Sequence, residues 1–482
     1  MQSFEIDKTD LQRIKTALES DDAELQKVLK EYHPSEIAML FTKLPQEAKE
    51  KIINILPIDV ASEVISEMDE EHRPGELLIN LHPDKRSEIV EELDYDDATD
   101  IISQLDEDDQ KEILEDLDQE DADSIRALMN YDEDTAGGLM NPQVICVKMK
   151  MDKKQALDEI IRQSEEMEEF YTVYVIDDTH ILRGILSLKD VIKARTNAKI
   201  SELVNPEFVY VKAELDQEEV AKLFSQYNLT TIPVVDDNMK LLGRITVDDI
   251  IDVMEQESTE DMLKISGVSE DEELSGNWKE AVKSRLPWLI INLGTAYLAA
   301  SIIRHFDDTV AQLPILAAYM TIIAGMGGNS ATQALAVTVR RISLTDLTDS
   351  QAYNAVLKEF LVGLLNGAAN GIIVFFIALF YDADPMLGLV LFLAMTGNLV
   401  VAGLTGSSIP LVLKRVGIDP AVASSIIITT FTDCAGFLLP LWFATKLLLP
   451  RILEDKRVQA LKHVQLQKHI DSLQHLQHIL HH

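Results

Sequence analysis

The stretch SSIIITTFTDCAGFLLPLWFATKLLL, residues 424–449, decides how this chain is organised. It is apolar and long enough to cross a lipid bilayer as a helix, for which about 20 residues suffice. It nevertheless carries an aspartate, Asp433, near its midpoint. A charged side chain at the bilayer centre costs roughly 2.5–3.5 kcal/mol on insertion scales. The sequence therefore predicts that Asp433 faces a partner, water or an ion.

Four further apolar segments precede this stretch, so the sequence predicts five membrane spans. Basic residues lie before the first span and in the segments between spans two and three and between four and five, which places the N-terminal part in the cytoplasm. An odd number of spans then puts the C-terminus outside the cell. The basic residues of the tail fit this placement poorly, because basic residues favour the cytoplasmic side. The predicted spans are residues 287–303, 310–327, 356–380, 386–413 and 421–449.

The net charge of −39 is confined to the part before the membrane spans, because acidic and basic side chains balance after residue 286. An acidic part of this kind repels the phosphates of nucleic acid, so nucleic acid is excluded as a partner. It attracts cations instead. The two cysteines, Cys146 and Cys434, are far apart and predict neither a disulfide framework nor a zinc site.

A repeat of about twelve residues runs through residues 35–125, where an apolar residue recurs and is mostly followed by Pro or Asp. Pro or Asp at such a place is a helix-start signal, so the repeat predicts short helices stacked as a right-handed solenoid. A plain helical bundle is the alternative. The recurring residues are Leu44, Leu56, Met68, Leu81, Leu93, Leu105 and Leu117.

A second repeat, about 142–200 and 201–262, has strands and helices in the same order in both halves. Its Gly-x-x-Ser/Thr-x-x-Asp pattern gives Ser187 and Asp190 in the first half and Thr246 and Asp249 in the second, and it resembles a tandem CBS pair. The resemblance implies that Ser187, Asp190 and Thr246 hold the phosphate and ribose of ATP or another adenine nucleotide. Both hydroxyls fit equally well as helix N-caps.

An acidic connecting segment, residues 248–285, follows the second repeat. At 100° per residue, its carboxylates fall within about half the helix circumference, and no basic residue interrupts them before Lys264. Charge runs on helices are usually solvated faces, but like charges at these spacings favour a counter-ion. A divalent cation is the simplest one. The carboxylates are Asp249, Asp252, Glu257, Glu260 and Asp261.

The residues around Asp433 predict a hard cation as its partner. The predicted spans hold no Lys or Arg at a similar depth, whereas Asn329, Asn398 and neighbouring threonines such as Thr430 supply oxygen atoms. Oxygen donors suit Mg²⁺, Mn²⁺ or Ca²⁺ better than zinc or copper. Two chains on a two-fold axis would pair their aspartates. A protonated Asp433 that donates a hydrogen bond to a neighbouring helix is the alternative.

From about residue 30 to 449 the chain resembles an MgtE-type magnesium channel or transporter, with YDEDTAGGLMNP, GGNSATQ and KRVGIDPAVASSIIITTFTD as the characteristic motifs. The resemblance implies a homodimer in which Asp433 coordinates hydrated Mg²⁺, with Asn329 and Gly328 nearby. It also implies regulatory ions between soluble domains, although Asn228 stands where an aspartate is expected. The matching regulatory positions are Asp96, Asp100, Asp216, Glu218, Asp249, Asp252, Glu257, Glu260, Asp261 and Asp419.

The predicted architecture is a multi-domain membrane protein with an all-α solenoid N domain, an α+β tandem CBS pair, a long connecting helix and a five-helix transmembrane domain. The tail carries His463, His469, His475, His478, His481 and His482, which would suit a soft metal or lie on a membrane-surface helix. The predicted bounds are 1–130 for the N domain, 131–262 for the CBS pair, 248–285 for the connecting helix and linker, 286–449 for the transmembrane domain and 450–482 for the tail.

These features predict a Mg²⁺-selective, channel-like transporter of the plasma membrane that cytosolic Mg²⁺ closes by binding to the acidic domains. One alternative is a proton- or sodium-coupled exporter of divalent cations, and another is a membrane-anchored nucleotide sensor. An enzyme is not expected, because no nucleophile with a base, phosphate loop or zinc motif is found.

Overall fold

The computed structural model describes residues 8–69, 72–164, 170, 172–195, 197–268, 278–344, 347–420 and 424–480. The chain forms two compact units, Met1–Glu257 and Ser258–His482. The division falls within one helix, the acidic connecting helix, rather than in the linker that follows it.

Short helices fill the first part of the N-terminal unit. Each of those in the repeat region is six to ten residues long and begins directly after a Pro, His, Arg or Asp residue. Their bounds are α1 Lys8–Leu18, α2 Asp22–Leu29, α3 Pro34–Phe41, α4 Gln46–Ile55, α5 Ile58–Ser66, α6 Pro74–Ile79, α7 Pro83–Glu92, α8 Tyr95–Ser103, α9 Glu107–Asp116 and α10 Gln119–Leu128.

Helices α3 to α10 pack in two alternating rows, because each contacts the second helix along the chain. Helices α3, α5, α7 and α9 form one row, and α4, α6, α8 and α10 form the other. The recurring apolar residue lies just before the next helix, except for Met68, which α6 follows only at Pro74, and it is buried or packed against the core in every repeat. The burial predicted from the twelve-residue spacing is thus confirmed, while the right-handed superhelix stays a prediction.

Two similar α+β repeats complete this unit. In each, a short strand pairs in parallel with a second strand, which pairs antiparallel with a third. The first repeat contains β1 Cys146–Lys148, α11 Lys153–Gln163, β2 Val173–Ile176, β3 Leu182–Leu186, α12 Leu188–Lys193 and α13 Ile200–Leu203. The second contains β4 Val211–Lys212, α14 Gln217–Tyr227, β5 Thr231–Val235, β6 Leu241–Thr246 and α15 Val247–Ile265.

The two repeats contact each other through their β-hairpins. The backbone N–H of Leu182 donates to the Met239 carbonyl at 2.8 Å, and the Tyr174 hydroxyl lies 3.1 Å from that of Thr231. The same hairpin turn occurs in both, with His180 and Met239 at equivalent left-handed positions. The predicted sequence repeat is therefore a repeat of backbone conformation, including its turns.

The second unit consists of helices, most of them long. Within the described residues, four helices are long and apolar enough to cross a membrane: Ala281–His305, Asp349–Tyr381, Pro385–Val416 and Ser425–Lys468. The helices are α16 Trp278–His305, α17 Asp307–Gln312, α18 Leu316–Leu344, α19 Asp349–Tyr381, α20 Pro385–Val416, α21 Ser424–Phe443 and α22 Leu449–Leu480, with a π-helical segment, Ala444–Leu448, between the last two.

The predicted second span, 310–327, differs in its bounds from the helix found there. Helix α17 ends at Gln312 and α18 starts after Pro314, because proline cannot continue a helix and restricts the residue before it. Helix α18 then runs to Leu344, well beyond the predicted end, and is not among the four candidate spans. The five-span count therefore stays a prediction.

Glycines allow the membrane helices to approach closely. Gly363, Gly367 and Gly371 lie one turn apart on α19 and face α20. A Cβ atom on Gly367 would lie 2.8 Å from the Cα atom of Thr396, so only glycine fits without a shift of the helices. Such small-residue ridges are typical of helix pairs in membranes, where close van der Waals packing drives association.

Candidate functional site

Helix α18 lies against α20 and α21, and small residues set both crossings. A Cβ atom on Gly436 of α21 would lie 2.8 Å from the Cα atom of Ala324, and one on Gly406 of α20 would lie 2.6 Å from the Ala331 carbonyl oxygen. Gly436 lies one turn beyond Asp433 on α21. The crossing therefore places the predicted pore residues of α18 and α21 on adjoining helices at similar height.

Asp433 is half-buried in α21, and the described threonine hydroxyls around it bond to their own helix. The Thr430 hydroxyl donates to the Ile426 carbonyl at 2.6 Å, and that of Thr429 donates to the Ser425 carbonyl at 2.8 Å. A hydroxyl that donates in this way still has lone pairs on its oxygen. Thr430 can therefore accept a hydrogen bond from a hydrated ion beside Asp433.

A polar stripe runs along α18 in the middle of the membrane unit. Asn329, Thr332 and Gln333 are exposed, Gly328 is half-buried, and Ala331 between them is buried against α20. Polar groups at membrane depth need water or a protein partner, since lipid offers neither donor nor acceptor. The stripe therefore marks a face that meets water or a second chain.

Asn398 of α20 is fully buried against α18. Its Nδ2 donates to the Ile323 carbonyl at 2.8 Å, and Gly327 leaves the space that its amide occupies. Its Oδ1 has no hydrogen-bond partner in the described part of the chain. The predicted oxygen donor thus lies between two helices, where it fastens α18 to α20 and leaves one acceptor open.

An acidic cluster forms in the N-terminal unit where α8 meets the start of α15. Burial raises the pKa of Asp96 well above its usual range, and the nearby Asp249 carboxylate raises it further. The same two causes raise the pKa of Asp97 to about 7. Burial also raises the pKa of Asp249 to about 6, although hydrogen bonds from Thr246 oppose the shift. These carboxylates are close enough to repel one another and are short of counter-charge.

Further carboxylates extend this cluster. Asp100 and Asp94 add repulsion at Asp96, and burial together with Glu67 raises the pKa of Asp252. Asp96 is 8% exposed, and its Oδ1 has no hydrogen-bond partner among the described residues. A buried carboxylate oxygen without a donor, among further carboxylates, is the arrangement that a bound divalent cation would satisfy.

The other predicted regulatory residues of this unit have local partners. Asp216 caps α14 by accepting from the Glu218 backbone N–H at 2.9 Å, and Glu218 pairs with Lys222 at 3.2 Å. Glu257 accepts from the Gln217 amide at 2.7 Å. Asn228 ends α14 in the left-handed conformation, with φ of 52°. Asparagine tolerates that conformation well, which gives a backbone reason for an amide there.

In the second unit, the end of α15 carries the remaining predicted carboxylates. Lys264 Nζ contacts Glu260 one turn earlier and Asp419 Oδ2 at 2.8 Å. Asp419 belongs to the segment between α20 and α21. Asp261 accepts from the Ser343 hydroxyl at 3.1 Å. A lysine ammonium thus lies between two of the carboxylates that were predicted as regulatory metal positions.

The side chains of the Gly-x-x-Ser/Thr-x-x-Asp motif have different hydrogen bonds in the two CBS repeats. In the second repeat, Asp249 accepts hydrogen bonds from the Thr246 hydroxyl at 2.7 Å and from the Thr246 backbone N–H at 3.1 Å. Both bonds lie in the first turn of α15. In the first, Ser187 precedes α12 without a side-chain capping bond, and both Ser187 and Asp190 are exposed. Only the first motif leaves its side chains open to a ligand.

Sequence reasoning found most of these carboxylates and missed two features. Asp97 was not singled out, although the stretch LDYDDATD places it beside Asp96. The role of Lys264 was missed because its partner Asp419 lies far along the chain. Within the described residues, no group of three His, Cys, Asp or Glu side chains is already arranged to hold a metal ion. The tail histidines other than the exposed His463 lie outside the described side chains.

Comparison with known proteins identifies the class first. A family model described as divalent cation transporter matches residues 320–443, one for the MgtE intracellular N domain matches 32–134, and CBS domain models match 136–197 and 200–256. The chain is thus a membrane protein of the divalent cation transporter class with an N domain and a CBS pair.

Individual relatives then give the family. The magnesium transporter MgtE of Thermus thermophilus is 33% identical, with 89% of this chain and 96% of that protein covered. The magnesium transporter MgtE of Enterococcus faecalis is 36% identical, with 66% and 70% covered. The chain belongs to the MgtE family. A crystal structure of the cytosolic domain of the Mg²⁺ channel MgtE in complex with ATP is 36% identical, covers 51% of this chain and 99% of its own, and has a TM-score of 0.48.

Proposed function

We propose that this protein is a Mg²⁺-selective, channel-like transporter of the cell membrane that closes when Mg²⁺ binds to its acidic soluble domains. The observation that carries the proposal is Asp433, a half-buried carboxylate in an apolar helix beside the polar stripe of α18. Family membership supports Mg²⁺ as the transported ion, since relatives covered over most of their length are magnesium transporters.

The pore is best formed by two copies of the chain. One aspartate cannot strip a divalent ion of its water, whereas two facing Asp433 carboxylates suit an ion that keeps several waters. The exposed polar stripe, Asn329, Thr332 and Gln333, supports this arrangement, because it needs water or a second chain beside it. In this proposal α18 crosses the membrane with the four apolar helices, which gives five spans and places the N-terminal unit in the cytoplasm.

Closure is driven by the acidic cluster. Without Mg²⁺, Asp96, Asp97 and Asp249 repel one another, which favours separation of α8 from α15. Mg²⁺ removes this repulsion and fixes the two helices together. Ligand binding then shifts the population toward the closed state by its difference in affinity for the two states. Several weak sites are required, since one site would need an affinity ratio of about 10⁴ for a full switch.

Adenine nucleotide is assigned to the first CBS repeat. Ser187 and Asp190 are exposed and can meet phosphate and ribose oxygens, whereas Thr246 and Asp249 already bond to each other. The position of the CBS pair, between the N domain and the membrane helices in the sequence, supports a regulatory role for this nucleotide. Asp216, Glu218 and Glu257 already have local partners, so a regulatory ion at these residues would have to share or replace those contacts.

The test is Mg²⁺ flux into proteoliposomes, with Asp433→Asn compared against the wild-type chain. We expect flux to fall at least about tenfold, which corresponds to 1.4 kcal/mol, because the amide keeps the shape and loses the charge. Glu454→Gln, an exposed carboxylate in α22, is the matched control and should leave flux unchanged. Raising Mg²⁺ on the cytoplasmic side should close the wild-type channel.

Other outcomes select the rivals. Flux that depends on a proton or sodium gradient would identify a coupled exporter, with Asp433 taking up a proton in each cycle. A complete lack of flux under every gradient would leave a membrane-anchored nucleotide sensor. Flux that survives Asp433→Asn would remove this residue from the ion path.

A further inference from the structure

The end of α15 is held against the membrane helices of its own unit. Ile265 packs on the cluster formed by Ala331, Leu335 and Val339 of α18 with Ala402 and Ile428. Gly267 ends the segment in the left-handed conformation, with φ of 76°. Lys264, one residue before Ile265, is therefore carried by a helix end that is fixed in place.

Lys264 is also largely buried, with its side chain 13% exposed. Its ammonium lies between Glu260 from the same helix and Asp419 from the α20–α21 segment. Asp419 is joined to Lys264 at 2.8 Å across 155 residues of sequence. The ammonium thus links the acidic helix to the segment that precedes helix α21, and α21 carries Asp433.

We propose that Lys264 is a tethered cation that competes with Mg²⁺ for Glu260 and Asp419, and so sets the Mg²⁺ concentration at which this site fills. With the ammonium present, the two carboxylates and the lysine carry a net charge of −1, which attracts a divalent ion weakly. When the lysine is displaced, the pair carries −2. The inference rests on the proposed function only in taking Mg²⁺ as the ion.

The geometry supports competition rather than joint binding. A lysine ammonium is a compact point charge with three donors on a flexible stem, so it can leave its partners without moving the backbone. Mg²⁺ requires oxygen ligands in nearly octahedral geometry and would repel an ammonium in direct contact with the same oxygens. The two cations therefore exclude each other. A purely structural ion pair would instead be strengthened by Mg²⁺-driven closure.

The first experiment measures the reactivity of Lys264 in the purified full-length protein. An amine-acetylating reagent is applied at increasing Mg²⁺, and acetylation of each lysine is read by mass spectrometry. We expect Lys264 to react slowly without Mg²⁺ and about tenfold faster once Mg²⁺ displaces it. Lys189, exposed on the first CBS repeat, is the internal control and should react at a constant rate.

Lys264 reactivity that stays constant or falls as Mg²⁺ rises would overturn the proposal. In Asp419→Asn, Lys264 should already react faster without Mg²⁺ and respond less to it. This measurement needs no transport, so it tests the competition even in a protein that proves not to conduct Mg²⁺. Wild-type flux that closes normally while Lys264 does not respond would reject the competition and leave the proposed function standing.

The second experiment measures channel closure in Lys264→Gln. Competition predicts closure at about tenfold lower Mg²⁺, because Mg²⁺ no longer has to displace the Lys264 ammonium. A structural role predicts the opposite sign, since the helix end would lose a contact that holds it in the closed position. Lys264→Arg retains the charge and should keep closure near the wild-type concentration, and Lys189→Gln should not change it.

Discussion

The two CBS repeats share a backbone and differ in the chemistry of the same motif. Both have a parallel and an antiparallel strand pair, and both use a left-handed residue at the same hairpin position. In the first, Ser187 and Asp190 face solvent. In the second, Thr246 and Asp249 bond to each other, and Asp249 joins the acidic cluster.

This difference shows how a duplicated fold can divide two tasks. In the second motif the Asp249 carboxylate already accepts hydrogen bonds from Thr246, and the helix that it starts carries the acidic face. The first motif begins the short helix α12, which carries no such face and leaves its hydroxyl and carboxylate open. The same two side-chain positions are therefore bonded to each other in one repeat and exposed in the other, which fits the ion and nucleotide roles that we propose for them.

The largest difference should appear when Mg²⁺ is added. A ligand at one hundred times its dissociation constant stabilises a folded state by about 2.7 kcal/mol, and we expect Asp249→Asn to remove most of this gain around α8 and α15. Asp190→Asn in the first repeat should retain it. Hydrogen exchange of the α8 and α15 amides, with and without Mg²⁺, measures the effect. If both variants lost the Mg²⁺-dependent stabilisation equally, the two repeats would not differ in their response to Mg²⁺.

A smaller effect should appear with pH in the absence of Mg²⁺. The folded-state pKa values of Asp97 and Asp249, about 7 and about 6, exceed the ordinary value of 3.8, so the folded protein holds these protons more tightly. Their contribution to stability is complete below about pH 4 and is lost as pH rises through 6 to 7. We expect a loss of at least about 1.4 kcal/mol, the equivalent of one pKa unit, because both shifts exceed one unit.

The pH effect is measured by hydrogen exchange of α8 at pH 5 and pH 7 in a chelator, with correction for the intrinsic exchange rate. Asp249→Asn should flatten the dependence, because its charge contributes to the repulsion at Asp96 and Asp97 along with Asp94, Asp248 and Glu67. Asp190→Asn should not. If α8 of the wild-type protein became more stable as the pH rose from 5 to 7, this result would contradict the raised pKa values.

The smallest effect concerns the two hydroxyls. Thr246→Ala removes the hydrogen bond that its hydroxyl donates to Asp249 and should cost about 1 kcal/mol at the start of α15, with little change in nucleotide affinity. Ser187→Ala should cost less than about 0.5 kcal/mol and should weaken binding of ATP instead. Hydrogen exchange measures the stability of each variant, and ATP titration measures its affinity for the nucleotide. Equal losses of ATP affinity would mean that both motifs hold the nucleotide.

Features encoded by local spacing were predictable. The twelve-residue recurrence placed Leu44, Leu56 and Leu93 in the core, because the position before each helix start must be buried in such a stack. The second repeat was evident because both halves carry the same turn and motif. The role of Asp433 stays a prediction, which rests on the cost of an ionisable side chain in the middle of an apolar helix.

Features that depend on long-range contacts were not predictable from spacing. Asp97 acquires its raised pKa from burial and from Asp249, which is distant in sequence. Lys264 meets Asp419 only because the chain folds back through α18, α19 and α20. The bounds of the helix at the predicted second span were not predictable from hydrophobicity, because Pro314 delays the start of α18.

The π-helical segment Ala444–Leu448 joins α21 to α22 without ending the helical path. Ser425–Lys468 is therefore one rod of 44 residues, which at 1.5 Å per residue is about 66 Å long, roughly twice the apolar thickness of a bilayer. A rod transmits torque. In the transporter that we propose, a rotation of the tail part of this rod about its axis would also rotate Asp433.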